Sequence, residues 1–346
     1  MVKNPLSFQL KAEDFLPATE EEKQGLVVMR ESVGFWRDSL RRLVKNKVAM
    51  VSLFVIIVIM FFSFVVPSFY PYSYEQQQKG AENLRPMTYS QAELDRIANG
   101  EKVTPHFLGT DKLGRDYAVR IMVGSRISMT VGLVAAVIIL VIGALYGSIA
   151  AFFGGWVDII MMRIVDIIYT IPDVLLIVLI SIALKGPLAG LSSQAAFGWV
   201  GIVGPNLVSI FIVFALLYWV GMARIVRSQV LVLRESEYVT AAKALGAGNG
   251  RIIRKHLLTN CIGTLIVTTT LQIPSSIFTE SYLSFLGLGV AAPLPSLGSL
   301  ASTAINGMNT YPYLLIAPAL LISLIILSFN LFGDGLRDAF DPKLKK

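Results

Sequence analysis

The sequence predicts an all-α membrane protein with six transmembrane helices, and three observations lead there. Of 346 residues, 54% are hydrophobic and 15% charged, with a mean hydropathy of +0.65. That is too apolar for an ordinary water-soluble fold of this length. The apolar residues gather into six runs, each near the ~20 residues that cross a ~30 Å hydrocarbon core. Basic residues crowd alternate connections between the runs, the asymmetry that orients helices in a bilayer. A formal charge of +7 would also suit a nucleic-acid binder. Here the cations flank apolar runs and no nucleic-acid motif accompanies them, so that partner is set aside.

Taken in order, residues 1–47 form a polar tail, acidic at Glu20, Glu21 and Glu22. Beyond these, Trp36, Leu40, Leu43 and Val44 share one helical face among basic residues, which predicts a helix lying in the membrane interface. The first span is placed at Val48–Val66, too far along and too long for a cleavable signal peptide. Residues 67–126 follow as an extracytoplasmic lobe, with Pro71, Pro86 and Pro105 and no large core expected. Spans two to six are placed at Ile127–Phe153, Ile159–Leu184, Leu207–Ile225, Ile262–Leu288 and Tyr313–Phe332, within a transmembrane domain covering 127–340. Residues 341–346 are a short tail. Arg37, Arg41, Arg42, Lys45 and Lys47 hold the N-terminus in the cytoplasm, and an even number of spans returns Arg337, Lys343, Lys345 and Lys346 to the same side. Gly186–Asn206 and Val290–Thr310 contain no Lys, Arg, Asp or Glu, as outer loops should. The lone Cys261 excludes an internal disulfide, and no internal repeat is visible.

The connection between spans four and five stands apart. Glu237–Asn260 reads EYVTAAKALGAGNGRIIRKHLLTN, which has the makings of two short helices around a glycine-rich turn. Tyr238, Ala241, Ala242 and Leu245 fall at i, i+3, i+4 and i+7 and predict one sticky face. Ile252, Ile253, His256 and Leu257 predict a second. Ser236 is placed to cap the first helix, where Glu237 meets the positive end of the dipole. Gly246, Gly248 and Gly250 are expected to permit the backbone reversal. So compact a loop on a membrane protein points to a partner in the water phase.

These residues resemble the EAA motif of the permease subunits of bacterial ABC importers. Glu237, Ala241, Ala242, Gly246, Ile253, His256, Leu258 and Asn260 match it, with Thr259 standing where that family usually has proline. Further motifs resemble the peptide/nickel branch, and within it the C-type subunit of oligopeptide and dipeptide permeases. They are LGTDKLGRD (Leu108–Asp116), GSRIS (Gly124–Ser128), ESYLSFLGLG (Glu280–Gly289) with APLPSLG after it, and NLFGDGLRDAFDPKL (Asn330–Leu344). Leu297 replaces the usual tryptophan. The resemblance implies a type I importer fold with a cytoplasmic coupling loop over 235–260. It implies a homologous B-type permease, two ATPase subunits carrying ATP and magnesium, an extracytoplasmic binding protein and a peptide substrate. Nickel, glutathione or oligosaccharide are the alternative cargoes of that architecture. The chain itself has no phosphate-binding GxxxxGK[ST] loop, so it is expected to hold no cofactor and to catalyse nothing. In the family's scheme, the first helix of the loop seats in the ATPase, Gly246 permits close approach and Glu237 orients the loop through a salt bridge or cap.

Charges within the spans form a second set of gate or path residues, because each is costly in lipid and must face protein or water. Glu280 is placed in the outer half of span five, with Arg120 or Arg126 expected to neutralise it. Arg163 and Asp166 are placed one turn apart in the inner half of span three. Asp334, Arg337 and Asp338 are placed at the inner end of span six. Ion pairs that lock helix packing are the plainer reading of all three groups. Pro172 and Pro274 are expected to kink their helices. Enzyme readings fail: His106 and His256 lie on opposite sides, too few for a histidine metal site, and GSRIS lacks the serine position of a GxSxG elbow. A self-sufficient secondary carrier would call for inverted repeats and a mid-membrane coupling acid, and neither is visible.

Overall fold

The computed structural model describes residues 34–192, 194, 200 and 203–340. Among these the chain is helical, with only two isolated bridges, Thr88 to His106 and Thr110 to Asp116, in place of strands. Six helices are long and apolar enough to cross a membrane. An amphipathic helix, α1 (Phe35–Lys45), is followed after Asn46 alone by α2 (Lys47–Phe64), the first span. Asn46 caps α2 by accepting the Ala49 N–H at 3.2 Å.

The lobe after α2 contains one short helix, α3 (Gln91–Ala98), closed by a reciprocal capping box between Ser90 and Glu93. Its centre is polar, in keeping with a segment too short of apolar residues to build a core. His106 is fully buried, its Nδ1 2.7 Å from Asp116 and its Nε2 3.2 Å from Glu93, and its ring stacks on Tyr72 at 4.5 Å. Burial, and then the Glu93 carboxylate, push the Tyr72 phenol above the ordinary tyrosine value. It therefore remains a neutral hydrogen-bond donor.

The second span begins ten residues earlier than the apolar run indicates. Asp116 accepts the Val119 N–H at 2.9 Å and caps α4 (Tyr117–Phe153), 37 residues long. At ~1.5 Å per residue this helix outreaches the bilayer by roughly 25 Å, so its outer turns stand inside the lobe. It is the hub of the bundle. A methyl group at Gly132 would lie 2.4 Å from Ile277 Cγ1, and at Gly147 2.3 Å from the Ala223 carbonyl. Small residues thus let two neighbours approach closely, a recurrent device where lipid offers no hydrophobic drive.

The expected third span, Ile159–Leu184, is two helices. The chain turns at Gly154 into α5 (Gly155–Thr170), breaks at Ile171–Pro172, and resumes as α6 (Asp173–Ser192). Pro172 has no N–H to continue the first helix, and its carbonyl accepts from Leu176 (3.3 Å) to start the next. The apolar crossing is therefore Asp173–Leu191, and α6 continues through Pro187 where a loop was expected; most of 193–202 lies outside the described residues. Span four joins α7 (Pro205–Val213) to α8 (Trp219–Leu233) through a π-helical stretch, Phe214–Tyr218.

Two short helices follow in the loop between spans four and five, α9 (Glu237–Ala244) and α10 (Asn249–Arg251), the latter running into a π turn at Ile252–Leu257. Span five is α11 (Ile262–Phe285), which contains Pro274, and span six is α13 (Tyr313–Phe340). Between them the uncharged connection folds into α12 (Leu297–Ala304), a helix the sequence reading leaves as loop. Its capping box pairs Ser296 with Ser299 instead of Glu or Gln, so the usual signal is absent.

Candidate functional site

The loop between spans four and five is built on its own local chemistry. Ser236 occupies the N-cap of α9 without a side-chain bond, and Glu237 sits exposed in the first turn with no ion pair among the described residues. The cap or salt bridge expected of Glu237 is not formed among the described residues. At the other end the helix stops in a Schellman arrangement. The Ala247 N–H reaches the Ala242 carbonyl (3.0 Å) and the Gly246 N–H reaches that of Lys243 (2.9 Å). Gly246 is left-handed at φ +80°, and nothing within 4 Å would meet a Cβ there. Its need for glycine is thus already set by the turn. Gly248 (φ −66°) has ordinary backbone and Gly250 lies in α10, so Gly246 alone makes the reversal.

The predicted face of α9 is divided. Val239 and Ala242 turn inward, at 0% and 7% exposure, while Tyr238, Ala241 and Leu245 turn outward, Leu245 at 88%. From the second arm, Ile252 and Leu257 are fully buried, and Ile253 and Leu258 pack beside them. His256 is half-buried; Asn260 Nδ2 donates to its carbonyl (2.5 Å) and to Tyr238 Oη (3.2 Å), tying the two arms together. Val239, Ile252 and Leu257 share one apolar cluster with Ala144 and Ala151 of α4, Val226 and Val230 of α8, and Leu265 of α11. Loop and inner span ends therefore form a single core. Lys243 adds a cation–π contact over Phe152, 5.4 Å from its centroid, and Arg234 donates to the Ala151 carbonyl at 2.7 Å. The loop shares its core with the spans and displays Leu245, with Tyr238 and Ala241 beside it, on its outer surface.

The intramembrane charges are placed differently from expectation. Glu280 is fully buried and has no cation beside it among the described residues. Its carboxylate accepts from Ser128 (2.7 Å), Ser284 (2.7 Å) and Ser281 (3.3 Å). Arg120 turns away to Asp111 (3.4 Å) and the Tyr74 carbonyl (3.2 Å), and Arg126 lies half-buried beside the lobe, lining a cavity with Tyr70 and Tyr74. The serines were legible only through the motifs around them: GSRIS supplies Ser128, ESYLSFLGLG supplies the rest. The Val290 N–H reaches Ser284 Oγ (3.1 Å) and the Leu297 N–H reaches Ser128 Oγ (3.4 Å). A Cβ at Gly298 would lie 2.0 Å from the Ser281 carbonyl. Leu297, in place of tryptophan, is itself fully buried. Three sequence motifs, GSRIS, ESYLSFLGLG and APLPSLG, thus meet around Glu280.

Arg163 and Asp166 do not pair with one another. Both are exposed on α5, ahead of the apolar third crossing. Asp166 accepts from Arg224 of α8 at 2.8 Å, and the neighbouring Asp158 takes a bidentate bond from Arg227 at 2.5 and 2.6 Å. These are cross-links between α5 and α8, the packing role that ion pairs were allotted. Asp334, Arg337 and Asp338 are exposed at the inner end of α13, and among the described residues they form no ion pair. Beside Asp334, two glycines bring α13 close to its neighbours. A Cβ at Gly333 would lie 2.5 Å from Leu271 Cδ2, and one at Gly335 2.3 Å from Ala49 Cβ.

Comparison with known proteins accounts for this arrangement. Residues 143–346 match the family described as binding-protein-dependent transport system inner membrane component, and residues 34–86 match the N-terminal transmembrane domain of oligopeptide transport permease C. The chain is 40% identical over 334 residues to the oligopeptide transport system permease protein OppC of Bacillus subtilis, covering 96% of this chain and 97% of that one. It is 39% identical to the dipeptide transport system permease protein DppC of the same organism (98% and 95% covered). It is 33% identical to the glutathione transport system permease protein GsiD of Pectobacterium atrosepticum (90% and 92% covered). Six apolar helices, a compact loop fused to their inner ends and this match over more than half its length make the chain a member of the binding-protein-dependent transport system inner membrane component family, a multi-pass permease subunit of an ABC importer.

Proposed function

We propose that this permease forms half of a translocation path for oligopeptides or dipeptides, and that residues 237–260 couple it to ATPase chains. The observation that carries this reading is Leu245. It stands 88% exposed at the tip of a loop whose Val239, Ile252 and Leu257 are buried in the core of the spans. An apolar side chain displayed to water on a rigid mount is the form of a docking plug. Tyr238 and Ala241 extend the face, and Glu237 remains free to meet a cation on the partner.

In this reading a homologous permease completes the path, two ATPases bind ATP and magnesium below it, and a peptide-binding protein delivers cargo from outside. Both termini and the coupling loop face the cytoplasm, supported by the basic residues at each. The chain itself hydrolyses nothing. ATPase closure draws the loop, and the shared cluster of Val239, Ile252, Leu257, Ala151 and Val230 passes that displacement to α4 and α8. Similarity to both OppC and DppC of one organism supports a peptide cargo, and the match to GsiD keeps glutathione, itself a tripeptide, in the same class.

The test is reconstitution of the importer in vesicles. Leu245→Glu and Glu237→Lys should insert and fold normally yet lose ATP-driven uptake of a labelled tripeptide. Uptake at the native rate in both variants would refute the coupling assignment. Uptake of nickel ion or an oligosaccharide but no peptide would refute the cargo while leaving the coupling intact.

A further inference from the structure

Helix α1 divides its surface into four rows, one of them the ion pair of Asp38 and Arg42. At ~100° per residue, Ser39 and Leu43 face the protein, where they are buried at 5% and 8% exposure. The next row, Trp36, Leu40 and Val44, is 57%, 62% and 57% exposed. Arg37, Arg41 and Lys45 follow on the adjoining side, all exposed and without ion pairs among the described residues. A single residue, Asn46, separates α1 from the first span. The C-terminal end of α1 is thereby held at the boundary between hydrocarbon and water, and an apolar row beside a basic one has an occupant of matching chemistry there.

We infer that α1 binds the anionic lipid surface of the membrane through these two rows, and that this contact bears on transport. Trp36, Leu40 and Val44 enter the acyl boundary while Arg37, Arg41 and Lys45 lie at the phosphate level. The path to the transport machinery is short. The Phe35 and Trp36 rings pack on Phe340 at 5.7 and 5.9 Å, at the inner end of α13. Phe35 and Phe340 together face Gly263, 3.6 and 3.5 Å from the position of its absent Cβ. Gly263 is in the first turn of α11, three residues after the coupling loop ends. A helix seated in lipid therefore braces the joint at which loop motion enters spans five and six.

The experiment uses the assembled importer in vesicles of phosphatidylcholine, with or without phosphatidylglycerol. Leu40→Cys, in a Cys261→Ser background with partner chains lacking reactive cysteines, carries a nitroxide whose exposure to oxygen and to a water-soluble nickel chelate is compared. Preferential relaxation by oxygen is expected. Equal access of the nickel chelate would place the row in water and overturn the inference. Shielding from both reagents would place a partner subunit, or residues 1–33, on it, with the same consequence. In the second arm, phosphatidylglycerol should raise wild-type transport severalfold, and Arg37→Gln/Arg41→Gln/Lys45→Gln should abolish most of that rise at equal complex recovery. A triple variant that responds like wild type would overturn the role of the basic row. The nitroxide arm does not depend on the cargo or on the coupling assignment, so its failure is distinguishable from theirs.

Discussion

Gly246 and Glu280 show how single positions in this chain acquire a requirement. At Gly246 the requirement is the left-handed backbone of a Schellman turn, where any residue with a Cβ costs about 1–2 kcal/mol and asparagine is the best tolerated. Gly246→Asn should therefore retain most uptake while Gly246→Val loses it. A steric need for close approach to the ATPase would instead disable both, and vesicle uptake separates the two. At Glu280 the requirement is an acceptor for three serine hydroxyls in a site closed to water. Glu280→Gln should keep a carbonyl acceptor and the fold. Glu280→Ala should strand buried hydroxyls and lower stability by about 1–3 kcal/mol, read as a lower thermal midpoint in detergent. The sequence marks Glu280 as an unusual charge, but its partners lie 152 residues away at Ser128 as well as within its own helix. A cation was the plausible guess because in lipid a carboxylate is most often neutralised by one. The hydroxyls did the work through hydrogen bonding.

At the level of elements, Leu257 and Ile252 join the loop to the spans. Leu257→Ala should cost about 2–5 kcal/mol of local stability, so hydrogen exchange across 237–260 should quicken while the centres of α4 and α11 remain protected. Unchanged exchange in the loop would separate it from the shared core. Most elements are legible from apolar runs, since a bilayer imposes length and hydropathy on any helix crossing it. Three departures have physical causes. The outer turns of α4 carry Arg120 and Arg126 among buried apolar residues such as Val119, Ile121 and Val123, so the charges set them apart from the apolar run while the Asp116 cap begins the helix there. The expected third span breaks because Pro172 cannot continue α5; the sequence marks this proline as a kink, and the structure makes it a full break between two helices. The face of α9 divides because both buried and displayed positions are apolar, and periodicity carries no sign for which side meets the core. Loop residues His256 and Asn260 were legible through motif spacing, but the bond from Asn260 to Tyr238 was not.

Across the whole molecule, packing ties the bundle together at both ends. At the outer end, motifs from α4, α11 and α12 close around Glu280 and leave little freedom. At the inner end, one apolar core spans the loop and the ends of α4, α8 and α11, with α5 clamped to α8 by Asp158–Arg227 and Asp166–Arg224. In the proposed coupling, motion applied at Leu245 enters the bundle as displacement of joined helices instead of bending in a slack linker. The most direct measurement is a photo-crosslink from position 245. A benzophenone amino acid replaces Leu245 in the assembled importer, and irradiated membranes are analysed for the covalent partner. The account predicts an ATPase subunit as the adduct, with a yield that changes between nucleotide-free and ATP-bound states. An adduct formed only with lipid, or none with the ATPase in either state, would contradict it.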